Sequence, residues 1–227
     1  MILLLIFLII TYKNILLSLE CRPLFFFTRL SKSFKYEKTM YTSVENLTLP
    51  EGVFSVSVAN FDQNDKNKLI SIYSLWRDLS NNLTALGGRG VNLPEGLSEG
   101  VFCLAMNTVR VNGAIPGANS SFDCYSLPNK RRIQVKACSV LPDLTSFGPN
   151  SEWDDIYFMD FYVNGLWDGS FNIYHIDTPL IYNHKVNVKQ TVKDQQREGR
   201  RPRFSIYKEL INALDIKPVL KGNIHTL

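Results

Sequence analysis

The hydrophobic period of this 227-residue chain changes partway along, and that change limits the folds open to it. In the segment 62–82 apolar residues fall at 69, 70, 72, 73, 75, 76 and 79, a helical rhythm opened by Asp or Asn caps. A flexible Gly-rich connector, 86–91, follows. Next comes a second predicted helix, with Asn92 as its cap and Pro94 in its first turn. It runs to about residue 107 and buries Leu97, Val101, Phe102, Leu104 and Ala105. Glu95 and Glu99 lie four apart and so share one face of it. The segment 110–120 is rich in Gly, Pro and Asn and reads as a loop. From residue 121 the period is two. Strands are predicted over 121–126, 131–140, 155–163 and 169–177, with Ile133, Val135 and Ala137 alternating against Gln134, Lys136 and Cys138. An uncertain strand-then-helix stretch, 181–196, and a closing helix, 202–214, complete an α/β domain with a mixed central sheet.

Charge is distributed unevenly along this order. The chain carries 25 Lys plus Arg against 21 Asp plus Glu, but residues 1–39 hold six basic and two acidic side chains, leaving 19 of each beyond. A neutral body excludes a polycation that coats nucleic acid without preference. Within it, 137–184 has seven acids and no Lys or Arg, whereas 185–203 has seven basic residues against Asp194 and Glu198, and 130–136 has four against none. Localised basic patches suit a local polyanion contact.

The first 39 residues contain three short apolar runs, and none reaches the roughly 18–20 residues that span a bilayer. They also lack a leading basic region and small residues at a cleavage site. Their bias toward Leu, Ile, Phe, Lys, Tyr and Asn is what translated AT-rich non-coding DNA gives. The expectation is a spurious leader over 1–39 with the true start at Met40; a membrane or export segment is the alternative. Cysteines at 21, 103, 124 and 138 have no metal-ligand spacing. Cys124 and Cys138 could face each other across a hairpin, with a reduced pair in a cytosolic core as the preferred reading.

Asp123 on one strand of that hairpin, with Gln134 and Lys136 on one face of the other, brings a carboxylate, an amide oxygen and an ammonium within reach of each other. Such a set, with the Val135 carbonyl and either Glu99 or Glu95 from the preceding helix, can hold Mg²⁺ and hydrolyse a phosphodiester. Spacing alone favours the plainer alternative, a half-exposed hairpin whose polar residues face water. Near the end of the chain, Lys193, Arg197, Arg200, Arg201 and Arg203 offer guanine-reading forks and phosphate contacts, and Arg131 and Arg132 beside the central strand suit phosphate. A solvated helix end is the alternative there. His175, His184 and His225 are scattered and read as structural.

Asp123 followed by Gln134-Val135-Lys136 resembles the PD-(D/E)XK nuclease signature, with Gln in place of its second acid. Together with 90–99, 121–124, 132–136, 153–157 and 199–206, it resembles the small type II restriction endonucleases that cut GCNGC, the Bsp6I family. The likeness covers about 42–214. It implies a restriction-endonuclease-like core with a mixed central sheet flanked by helices, forming one nuclease domain over 40–227. It further implies Mg²⁺-dependent cleavage of double-stranded DNA, a homodimer in the cytoplasm with no membrane role, and a companion DNA methyltransferase. Asp123, Gln134, Lys136 and Glu99 are the catalytic set on this resemblance, with Glu99 chosen over Glu95. Phe122 replaces the usual Pro, and Gln134 removes one negative charge. The competing classes are a decayed nuclease that still binds DNA and a membrane-tethered protein.

Overall fold

The computed structural model describes residues 41–227, so the leader expected over 1–39 lies outside the described residues. A β-hairpin opens the fold: β1 (Tyr41–Leu49) and β2 (Gly52–Asn60) pair antiparallel in register from Tyr41 opposite Asn60 to Leu49 opposite Gly52. Its alternation is visible in β2, where Val56 and Val58 are buried and Ser55 and Ser57 exposed. The sequence reading placed no strand here.

Helix α1 (Gln63–Ala85) starts where expected. The Asp62 carboxylate accepts from the Asn64 amide at 2.7 Å, and the Asp65 side chain accepts from the Asp62 amide at 3.1 Å, a reciprocal cap that satisfies orphan donors of the first turn. Leu69, Tyr73, Trp76 and Ser80 form its buried stripe. Helix α2 (Glu95–Met106) has Pro94, rather than Asn92, at its cap, and Asn107 ends it in the left-handed conformation with φ 52°. Gly100 lets α2 lie close on α1, since a Cβ there would come within 2.9 Å of both Phe61 and Leu69.

Among the described residues the main sheet has eight strands, in the order β1-β2-β3-β4-β5-β7-β8-β10. Its members after the hairpin are β3 (Val109–Val111), β4 (Cys124–Ser126), β5 (Arg131–Cys138), β7 (Asp155–Asp160), β8 (Ser170–Ile176) and β10 (Leu220–Asn223). Only β5 and β7 run parallel; the other named pairs are antiparallel, so the sheet is mixed as expected. Two short strands, β6 (Thr145–Ser146) and β9 (Arg203–Phe204), form a separate pair. The predicted loop 110–120 thus begins inside a strand, β3, whose three residues are too few to show a period.

Helices cover both faces. On one, α1 and α2 bury Leu69, Trp76, Leu97, Val101 and Phe102 against Ile133, Val135, Met159 and Ile173. On the other, α3 (Thr178–Asn183), α4 (Val192–Arg197) and the closing segment bury Ile181, Val192, Phe204 and Leu210 against Ile156, Phe158, Tyr174 and Ile176. Each such side chain contributes about 1.5–3 kcal/mol through burial, so the alternation of β5 and β7 is fixed from both sides. The stretch 181–196, expected as strand then helix, is two short helices instead. The expected closing helix over 202–214 is reduced to one π-helical segment, Tyr207–Asn212, because residues before it are used in β9.

Cys124 pairs in register with Ile133, not Cys138, and its sulfur lies 3.4 Å from that of Cys103 on α2; both are free buried thiols. Among the described residues no helix is long and apolar enough to cross a membrane.

Candidate active site

A cleft of about 660 Å³ opens where the N-terminal turns of α2 meet β5, and its lining includes Glu95, Glu99, Asp123, Val135 and Lys136. Each residue is delivered by a different constraint of the fold. Asp123 directly precedes β4 and is held by two backbone bonds, from its amide to the Ile133 carbonyl at 3.0 Å and from the Val111 amide to its carbonyl at 3.0 Å. Lys136 comes from the centre of the sheet, where β5 is fixed by β4 on one side and β7 on the other. Glu95 and Glu99 come from one face of α2, as their spacing required.

The acids are uncomfortable neighbours. Glu99 is 8% exposed, and burial, reinforced by the charge of Asp123, pushes its carboxyl up to about 7 against the pull of Arg110. Burial also raises Asp123, opposed by the charge of Lys136 and the Val135 amide. Two carboxylates that resist ionising together are a donor set in which a hard divalent cation would replace the missing positive charge. They fit such an ion in number and chemistry, although the described residues contain no group of three or more Asp, Glu, His or Cys placed to hold one.

Gln134 stands differently from its expected role. It is buried and absent from the lining of the cleft, and its amide nitrogen donates to Asp123 Oδ2, the oxygen that also accepts from the Val135 amide at 2.8 Å. In this geometry it orients the aspartate instead of presenting an amide oxygen to a metal. Arg110, which the sequence reading left in a loop, forms a salt bridge with Glu99 from β3. No local signal marks it, because the contact depends on the crossing of α2 over β3. The Arg110→Gln variant is expected to lose about 1–3 kcal/mol of stability, because a buried carboxylate is left without its charged donor. Urea unfolding followed by tryptophan fluorescence measures this, and an unchanged midpoint would show that the pair contributes nothing.

The predicted DNA-contacting residues are dispersed. Arg132 is buried at 7% exposure and committed to Asp154, with Nη2 to Oδ1 at 3.0 Å, so its guanidinium faces inward and away from a phosphate. Arg131 is exposed and pairs with Asp155. In and after α4, Lys193 lies 4.6 Å over the Tyr182 ring, Arg197 pairs with Asp194 at 3.7 Å and Arg200 with Glu198 at 3.2 Å. Arg201 and Arg203 are exposed, and Arg203 stands across the β6–β9 pair from Ser146, which lines the cleft. The three histidines stay outside the cleft lining: His175 lies 3.4 Å from Asp155, His184 stacks on Phe204 and bonds Glu209 at 2.9 Å, and His225 meets Tyr73 edge-on.

Against known proteins, the family model described as Bsp6I restriction endonuclease matches residues 61–213. The type II restriction enzyme Bsp6I of Bacillus sp. (strain RFL6) is 33% identical to this chain over a 177-residue alignment that covers 75% of this chain and 97% of that protein. No solved structure matches.

Proposed function

This chain belongs to the Bsp6I restriction endonuclease family and is a type II site-specific deoxyribonuclease; from that premise we propose that it hydrolyses both strands of duplex DNA at GCNGC with Mg²⁺. The observation that supports this reading is the meeting of Asp123, Glu99 and Lys136, from the start of β4, from α2 and from β5, on one cleft. Asp123, Glu99 and the Val135 carbonyl would hold the ion through oxygen, as hard cations prefer. When bound, Mg²⁺ acidifies water and neutralises the charge that gathers on the scissile phosphate.

The remaining work falls to side chains of this protein. Lys136 orients the attacking water and adds positive charge beside the phosphate. Gln134 and the Val135 amide fix one Asp123 oxygen, which leaves the other for the ion. Arg110 keeps Glu99 aligned and partly neutralised. Arg200, Arg201 and Arg203 approach guanine edges, whereas Lys193, Arg197 and Arg131 contact phosphate. A homodimer, acting in the cytoplasm, reads the two halves of the interrupted palindrome alike, and a DNA methyltransferase acting on the same site protects the host's own copies.

Digestion of unmethylated plasmid with Mg²⁺, with the ends mapped to the nucleotide, tests the proposal. Fragments ending within GCNGC are expected, and omission of the metal should leave the plasmid intact. Ends scattered over unrelated sequences would reject the specificity, and intact DNA at all metal concentrations would favour a decayed nuclease.

A further inference from the structure

A second groove, of about 580 Å³, lies beside the cleft and shares Asn92, Ser139 and Val140 with it. Among the described residues its lining holds two arginines, Arg77 and Arg89, and no Asp or Glu. That composition contrasts with the cleft, which gathers acids, and with Arg131, Arg132, Arg197 and Arg200, each of which is already paired to a carboxylate of this protein. We propose that this groove binds the phosphodiester backbone of the DNA strand beside the scissile bond, with Arg89 and Arg77 as its phosphate ligands. The inference rests on the nuclease reading and extends it to a surface outside the Lys130–Lys136 and Lys185–Arg203 basic segments.

The two arginines are presented by separate devices. The Arg77 guanidinium lies over two indoles, 4.1 Å from the ring centre of Trp167 and 5.0 Å from that of Trp76. Its hydrogen bond goes to the neutral Asn81 Oδ1 at 2.8 Å. Stacking fixes the plane of a guanidinium while leaving its edge donors for an anion. Trp167 is itself anchored, donating from Nε1 to the Ser139 carbonyl at 2.7 Å, which ties this wall to the chain just beyond β5.

Arg89 projects from the Gly-rich connector 86–91, which the sequence suggested as flexible. In the structure both its sides are pinned to α1. The Gly88 amide donates to the Leu83 carbonyl at 2.9 Å, the Val91 amide to Ser80 Oγ at 3.1 Å, and Trp76 Nε1 to the Val91 carbonyl at 2.9 Å. The flanking glycines permit this approach, since a Cβ on Gly88 would stand 3.1 Å from the Leu83 oxygen and one on Gly90 3.3 Å from Ser80 Cβ. Arg89 is exposed and has no carboxylate partner among the described residues. A charged side chain on a fixed backbone loses less freedom when it grips a phosphate than one on a mobile loop.

The test is the salt dependence of binding, measured by fluorescence anisotropy in Mg²⁺ with Lys136→Ala protein and two short synthetic duplexes, one carrying GCNGC and one with that site scrambled. Adding Arg89→Gln is expected to reduce the slope of log affinity against log salt by about 0.9, the value for one lost phosphate contact. The slope should fall equally on both duplexes, and Arg89→Lys should restore it. Arg77→Gln should lower the slope similarly, with a thermal melt checking that loss of its two indole contacts leaves the fold intact. A slope unchanged by Arg89→Gln, or a loss confined to the GCNGC duplex, overturns the assignment. Failure of the parent protein, as well as the Lys136→Ala protein, to bind either duplex would instead overturn the nuclease reading beneath it.

Discussion

Lys136→Ala is expected to cut GCNGC-containing duplex about 10³-fold more slowly than the parent while binding it with similar affinity, the range for removing one positioned acid-base or electrostatic group. The reason lies in what surrounds the ammonium. Lys136 is half-buried in the cleft wall, its charge opposes the burial cost of Asp123, and Nζ lies 5.9 Å over the Phe147 ring. A charge held in a partly dry cleft acts on a developing anion far more strongly than one in water. Single-turnover cleavage together with anisotropy separates the chemical step from binding. Equal loss in both measurements would make Lys136 a binding residue, and undiminished cleavage would remove it from the reaction.

The second large effect is on folding. Asp143→Ala is expected to destabilise the protein by about 3–5 kcal/mol, as does removal of one partner from a buried charged network. Asp143 is 7% exposed and accepts four hydrogen bonds, from Thr145 Oγ1 at 2.7 Å, Ser205 Oγ at 2.6 Å, the Ile206 amide at 3.0 Å and the Tyr207 amide at 3.1 Å. It therefore joins the loop that lines the cleft to the start of the closing helical segment, and it satisfies amide donors at that start. Asp143→Asn should recover only part of the loss, because its amide group brings donors to a site already supplied with them. Urea denaturation gives the free energies; a change below about 1 kcal/mol, typical of a surface site, would show that the network is not what holds these segments together.

How far the sequence could be read depended on the range of the contacts involved. Where a local period or cap carries the information, it succeeded: α1 begins at its Asp62 cap and the β4–β5 hairpin stands as predicted, although β5 buries Arg132 and Gln134 along with Ile133 and Val135 instead of alternating. The β1–β2 hairpin was equally legible, with Val56 and Val58 alternating against serines, and went unread. Other features were beyond any local pattern. The burial of Arg132 follows from Asp154, which lies across the β5–β7 junction, and the pairing of Arg110 with Glu99 follows from helix placement. The stretch 202–214 reads as a closing helix, but β9 and Asp143 use its first residues for pairing and capping instead. Within the site, Asp123, Glu99 and Lys136 could be placed together from spacing and resemblance, whereas the turn of the Gln134 amide toward Asp123 could be known only from coordinates.

A crystal structure of the Lys136→Ala protein with GCNGC duplex and Mn²⁺, recorded at the manganese absorption edge, would place the metal directly. An anomalous peak is predicted against the carboxylates of Asp123 and Glu99 and beside a backbone phosphate of the bound strand. A peak elsewhere, or a bound duplex whose phosphates lie far from both carboxylates, would contradict the assignment of this cleft as the site of cleavage.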